Sequence, residues 1–482
     1  SKQSPPAMRS RRGPATFMDG VYLEPLFVVF WQTPTGESST NGKGNAMGFI
    51  RCLSFRIGPF GSLCFWLGFA ALCAANGRTS HAEAAAPDAL SAGPAPVFVT
   101  DAMIERARMR VESGKEPYAE TFEYIRKAAR NAQERDAEPY QGPDGKGLRR
   151  AVKRDGIPAL YAAAVYRISG DPAALETARR ILLAWADADP PVGTTLSWLP
   201  YPGDPETPRT MKEQSCGLTL ADVALQFTTV YGLIGRDLTD DARARVRSWF
   251  RRLARDLERG HQVWIRRKCF NQPFNNHLGF HMCGKLALGI ALGDDEMIAR
   301  NLSSPKNPRD AVDMINGAVL MPSRGDDQFC PGDDSRVTEP GEMFDRYRIK
   351  TSYDGKHGWG LGYSMVALNN LVMAAELARN VAATDLWQHI GPHEQSIRAA
   401  LEHYAVYYIT RDPAARGKYH SNDRLFMGWL TTYEIGAARL PDSRPIRQAL
   451  RANPRARAEA RHNVLQRLPV LLYDSPWWEE GE

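Results

Sequence analysis

The chain has 482 residues, 43% apolar and 24% charged, with 40 Gly and 33 Pro. That composition excludes a disulfide miniprotein, a collagen-like chain and a wholly disordered one, and it suffices for one large domain or two ordinary ones. The formal charge of +6 is unevenly spread: residues 1–85 hold eight Lys/Arg against four Asp/Glu, so the body is nearly neutral, which argues against a nucleic-acid binder.

Residues 1–46 mix Pro, Gly, Ser and Arg around one apolar island, Leu26–Trp31. They are expected to be a non-native or disordered extension upstream of a start at Met47. Arg51 and Arg56 then precede the uncharged apolar run Phe60–Ala75, and small-residue sites follow at Ser80-His81-Ala82 and Ala82-Glu83-Ala84. That order of parts predicts a secretory signal peptide over residues 47–84. A membrane anchor would also fit the 21 uncharged residues between Arg56 and Arg78, but Gly58-Pro59 and the cleavage-like sites favour the signal peptide. A periplasmic or secreted protein is expected, with no stable membrane insertion after cleavage. Leu72-Cys73 makes a poor lipidation site. Outside the leader remain Cys216, Cys269, Cys283 and Cys330, none in C-x-x-C spacing, so a structural zinc site is not expected and disulfide pairing stays open.

From Thr100 onward apolar residues recur at helical spacing. Helices are predicted over Asp101–Val111, Tyr118–Ala132, Ile157–Ile168 and Ala173–Trp185, the last pair separated by the stop-and-restart signal Ser169-Gly170-Asp171-Pro172. The same grammar gives Leu218–Ile234, Ala242–Leu257, Leu278–Leu292 and Asp294–Arg300. It continues with Ser364–Ala378, Thr384–His389 and Ser396–Tyr408. Antiparallel helix pairs of uneven length predict an all-α fold over residues 85–482: an α/α toroid, or incomplete α/α barrel, with long loops on one face. Those loops are expected at Pro190–Thr210, His261–Asn276 and Pro322–Gly362, and their length marks a binding face. Leu468–Glu482 reads as a short docking tail.

Two stretches carry candidate chemistry. In NQPFNNHLGFHMCG (Asn271–Gly284), Asn275, Asn276 and His277 stand at a loop-to-helix junction, where Asn is a good N-cap. An amide and an imidazole beside the positive end of a helix can hold a carboxylate. His277 and His281 share a helix face, but the Glu that a zincin places after the first His is Leu278 here, so no metal is expected. In the second stretch, Met343–Ala378, a loop rich in cations and aromatics leads into an apolar helix near Tyr363. It holds Arg346, Arg348, Lys350, Tyr353, Lys356, His357 and Trp359. A phenol among cations has its pKa drawn down from about 10.

The N-N-H at a helix start, and a basic residue and Tyr ahead of an A-L-x-x-L-V-x-x-A-E-L-A helix, resemble the alginate lyases of polysaccharide lyase family 5. They are similar also to related α/α-toroid lyases acting on glucuronan. The resemblance extends, more weakly, over about Thr100–Tyr433, including Gly217–Thr229. It implies that Asn276 and His277 neutralise a uronate carboxylate and that Tyr363 moves the proton. The family's assisting Arg has no clean match: Lys356 stands seven residues before Tyr363 with His357 beside it, and Arg346 and Arg348 lie further back. Leu278-Gly279-Phe280 also departs from the aromatic residue common after N-N-H. Substrate binding is expected at Asn275, Lys356, His357, Arg346 and Arg348, with Trp198, Trp264 and Trp359, and Tyr201 beside them, stacking on sugar rings.

The expected activity is β-elimination on a polyuronate, mannuronate-rich alginate or glucuronan, with an anionic polysaccharide as partner and no cofactor. Two alternatives remain: a glycoside hydrolase using Asp326, Asp327, Asp333 or Asp334, and a non-catalytic helical scaffold that binds polysaccharide.

Overall fold

The computed structural model describes residues 95–141, 145–189, 214–266, 274–324, 338–346, 359–381, 384–419, 423 and 425–474. Residues 86–482 belong to one compact unit. The extension, the leader and the Pro190–Thr210 loop lie outside the described residues.

Helices dominate. In chain order they are α1 (Asp101–Glu112), α2 (Tyr118–Gln133), α3 (Gly145–Ser169), α4 (Pro172–Ala188), α5 (Gln214–Ile234) and α6 (Asp240–Arg266). There follow α7 (Asn276–Leu292), α8 (Asp295–Leu302), α9 (Ala311–Ala318), α10 (Gly360–Arg379) and α11 (Ile397–Thr410). The last four are α12 (Leu430–Arg439), α13 (Arg444–Arg451), α14 (Pro454–Glu459) and α15 (Pro469–Leu472). A two-stranded antiparallel sheet pairs β1 (Val319–Leu320) with β2 (Glu342–Met343), and is the only sheet among the described residues.

Sequential packing builds the toroid. α3 packs on α2, α4 and α5; α5 packs on α6 and α7; α7 packs on α6, α8 and α10; α10 packs on α11 and α12. The inner members are apolar nearly all round, as a helix buried on every side must be. In α7 only Phe280 escapes full burial, and the apolar window of α10 is 94% buried. Helix starts follow the expected grammar. Asp171 accepts from the amides of Ala173 and Ala174 ahead of Pro172, and Gly293 ends α7 at φ 61°.

The C-terminal docking tail is borne out as far as it is described. α15 packs on α1, α2 and α12, and Arg106 and Arg110 donate to the carbonyls of Leu472 and Leu471 at 2.9 and 3.1 Å. The Asn380 side chain donates to Val97 O at 2.9 Å, tying the last residue of the α10 turn to the start of the described chain.

Besides α9 and α12 to α15, for which the sequence reading gives no helix, and shifts of up to four residues at the ends of α4, α5 and α10, three segments differ most from expectation. α3 begins twelve residues earlier than Ile157 and carries Pro158 inside it. Proline there withdraws the amide that would bond Arg154 O, and the Arg135 guanidinium donates to that carbonyl instead. α6 continues to Arg266, so His261–Arg266 is helix rather than loop. Thr384–His389 is not a helix. There the Asp385 side chain accepts from Trp387 N, and the Trp387 indole is drawn to Glu376 at 2.9 Å, which holds the segment as turns.

Candidate active site

The start of α7 is built by Asn275. Its backbone is extended (φ −78°, ψ 169°), and its side-chain oxygen accepts from His277 N at 3.1 Å and Leu278 N at 3.3 Å. This cap puts Asn276 and His277 in the first helical turn, beside the partial positive charge of the helix terminus. Asn276 is 4% exposed and His277 is 7% exposed. The Asn276 Oδ1 has no hydrogen-bond partner among the described residues. Trp264, in the last turn of α6, lays its ring against the His277 imidazole, centroids 4.7 Å apart and planes tilted by 33°. One turn deeper, His281 is fully buried, with His261 5.9 Å away between ring centroids. Burial pulls the pKa of both His281 and His261 well below the usual imidazole range, so both are neutral at pH 7.

Tyr363 lies in the first turn of α10. It is 6% exposed and stands outside the contiguous apolar cluster that its neighbours Leu361 and Met365 join. Trp359, at the cap position, contributes no side-chain cap; the Asp423 carboxylate accepts from Leu361 N at 3.4 Å. Ser364 adjoins Tyr363 and meets the Tyr419 hydroxyl at 3.3 Å, which in turn meets the Tyr404 hydroxyl at 3.0 Å. Tyr404 accepts from Met343 N, so a chain of hydroxyls runs from the start of α10 to β2.

The two helices are joined directly. Asn370 Nδ2 donates to Asn276 O at 3.0 Å, and Cys283 Sγ lies 3.0 Å from Asn370 O. Tyr363 and Asn370 are seven residues apart, so they lie about 20° apart around the helix and about 10 Å apart along it. The face of α10 that meets the Asn-His helix start is therefore the face that carries Tyr363.

Three expected binding residues have other work. Asn275 is 0% exposed and caps the helix. Trp264 is 5% exposed and packs its ring on His277. Arg346 is 1% exposed and paired with the equally buried Glu342, with Thr338 Oγ1 at 3.2 Å. Glu342 stands only four residues before Arg346, so the pair is local; what the sequence does not show is that both side chains are buried. Trp359 is half-buried at the head of α10. Lys356, His357, Arg348, Trp198 and Tyr201 lie outside the described residues, as do Asp326, Asp327, Asp333 and Asp334. Cys283 is a buried free thiol. No group of three metal-ligating side chains occurs among the described residues.

Sequence reasoning missed Asn370, Tyr419 and Asp423. Only Asn370 left a signal: paired amides, Asn369-Asn370, inside an otherwise apolar helix.

The alginate lyase family model matches residues 103–415. No curated protein matches the sequence. Among solved structures, the chain is similar to alginate lyase A1-III from Sphingomonas species A1. The identity is 15% and the TM-score 0.48, covering 73% of this chain and 91% of that one. A histidine-to-alanine variant of A1-III in its apo form aligns with a TM-score of 0.50 at 15% identity, over 80% and 97% of the two chains. An alginate lyase from Bacteroides ovatus gives 13% identity and a TM-score of 0.47, over 79% and 99%. At such identities structural likeness speaks for the fold, an α/α toroid, while the family match spans well over half of the sequence. The chain belongs to the alginate lyase family and is a polysaccharide lyase.

Proposed function

We propose that the protein cleaves a polyuronate, mannuronate-rich alginate or glucuronan, by β-elimination, with Asn276 and His277 neutralising the uronate carboxylate and Tyr363 carrying the proton. H5 of a uronate is a poor acid until the adjacent carboxylate is neutralised, because its removal builds an enolate-like dianion. The Asn276 amide, the His277 ring and a cation from the Arg348–His357 loop, Lys356 foremost, stabilise that charge. Tyr363, as phenolate, takes H5. The C5–H electrons form the C4–C5 double bond, the C4–O4 bond breaks, and the phenol returns the proton to O4. In β-mannuronate and β-glucuronate, H5 and O4 lie on the same side of the ring, so one tyrosine serves both transfers. The two sugars differ at C2, away from this chemistry.

The observation that carries this reading is the Asn370–Asn276 hydrogen bond, which couples the Asn-His helix start to the face of α10 that bears Tyr363. The test is a panel of polyuronates followed by ultraviolet absorbance of the unsaturated product end. Tyr363→Phe should fold normally and lose a factor of about 10²–10⁴ in turnover. Asn276→Ala and His277→Ala should be strongly impaired as well. Near-normal turnover by Tyr363→Phe would remove the tyrosine from the mechanism.

Export to the periplasm or medium is part of the same proposal, since the polymer is too large to enter a cell intact. N-terminal sequencing of protein from the native host should begin within a few residues of Glu83, and a mature chain retaining Met47 would overturn it.

A further inference from the structure

We propose that Asn370 is a positioning residue for the reaction, setting the carboxylate-neutralising start of α7 at a working distance from the proton carrier on α10. It rests on the reading of Asn276, His277 and Tyr363 given above.

Asparagine is a poor residue for a helix interior, and an amide buried among apolar side chains is unfavourable unless hydrogen-bonded. Yet α10 carries two in succession at its centre, Asn369 at 4% exposure and Asn370 at 2%. Each is used in a different direction. Asn369 Oδ1 accepts from Thr432 Oγ1 of α12 at 2.9 Å, and Asn370 Nδ2 donates to Asn276 O of α7 at 3.0 Å. Held from two sides, α10 is fixed against both rotation about its axis and sliding along it.

The acceptor is the main-chain carbonyl of the residue whose side chain is assigned to the substrate carboxylate. A shift of that carbonyl moves the Asn276 side chain and the adjoining His277 with it. Because Tyr363 sits two turns from Asn370 on the same face of a continuous helix, the bond makes the two halves of the site one rigid unit. Gly279 supports this independently. A Cβ at that position would lie 2.9 Å from Asn370 Nδ2 and 3.0 Å from its Cβ, so only glycine leaves the amide its place against α7.

Neutralising group and base must engage one sugar at the same moment, and a displacement of about 1 Å between reacting groups can cost about 100-fold in rate. Substrate binding, spread over a polymer, is far less sensitive to that distance. Asn370→Leu, which keeps the volume and removes the donor, should therefore lower kcat by about 10- to 100-fold while KM stays within about 3-fold of wild type. The thermal midpoint should stay close to wild type. Gly279→Ala, which keeps the amide but pushes it off its partner, should give the same kcat-only loss, and it carries the test alone where Asn370→Leu does not fold. Unchanged kcat in a folded variant would overturn the proposal. So would a parallel collapse of kcat, KM and thermal midpoint, which marks a merely structural amide. Tyr363→Phe in the same assay separates the two levels: normal turnover there defeats the underlying mechanism, whereas an inactive Tyr363→Phe with a fully active Asn370→Leu defeats the positioning role only.

Discussion

Asn275 shows how a single side chain can serve a site through the backbone it caps. Its oxygen satisfies two of the amides that α7 leaves open at its start, those of His277 and Leu278. Replacing it with Ala should cost about 1–2 kcal/mol of stability, the usual range for a lost helix cap. Because the capped residue is His277 itself, Asn275→Ala should also lower turnover by more than Asn275→Asp, which keeps an acceptor in place. Urea unfolding and product absorbance on the two variants check this together. Asn276 and His277 were legible in the sequence as residue types beside a helix start. What that start leaves unbonded, the Asn276 Oδ1, and what covers the imidazole, Trp264, depend on where α6 arrives, and no local pattern carries that.

At the scale of elements, Asp155 links three segments. Its carboxylate is 1% exposed and accepts from Glu138 N and Trp185 Nε1, both at 2.9 Å, and from Arg154. Burial alone would raise its pKa, but these hydrogen bonds outweigh burial and leave it lowered. Asp155→Ala would strand the Trp185 indole and the Glu138 amide away from water, and should cost about 3 kcal/mol with kcat unaffected. A fall in the urea midpoint at constant specific activity is the expected result. The first half of α3, which contains this residue, escaped the sequence reading. Gly145, Gly147, Gly156 and Pro158 all argue locally against helix. Packing on α5 prevails because Leu148, Ala151 and Val152 are buried along one face. Thr384–His389 failed in the opposite sense, its good local pattern overruled by the side-chain bonds that hold it as turns.

For the molecule as a whole, buried imidazoles should set the acid limit. Burial lowers His281 and His261 well below 6.5, and burial together with the nearby Arg416 takes His403 down to about 4. The unfolded chain therefore binds protons below pH 6.5 that the folded chain refuses, so stability falls as pH drops from about 6.5 toward 4. Each histidine contributes up to about 1.4 kcal/mol per pH unit in that window. The loss from pH 7.5 to 5.5 should thus approach about 4 kcal/mol. Glu342, Asp310 and Asp256, whose carboxyls burial pushes up, act in the opposite direction and moderate it. Thermal melts across this range check the slope, and His281→Met should flatten it by about a third. Because no motif calls for a metal, turnover should be unchanged by EDTA; a loss restored by a divalent cation would contradict that.

The helical class, most helix starts and the residue types of the Asn-His and tyrosine segments were determined by sequence alone. They rest on short-range physics: apolar spacing at 3.6 residues, Asp and Asn caps, Pro at the first position, Gly past the last. The hydrogen bond that joins the start of α7 to the middle of α10 was decided by tertiary structure, as was the burial of Arg346, Asn275 and Trp264. A hydrogen bond such as that from the Asn370 amide to Asn276 O, 94 residues away in sequence, exists only once distant segments are packed to within about 3 Å.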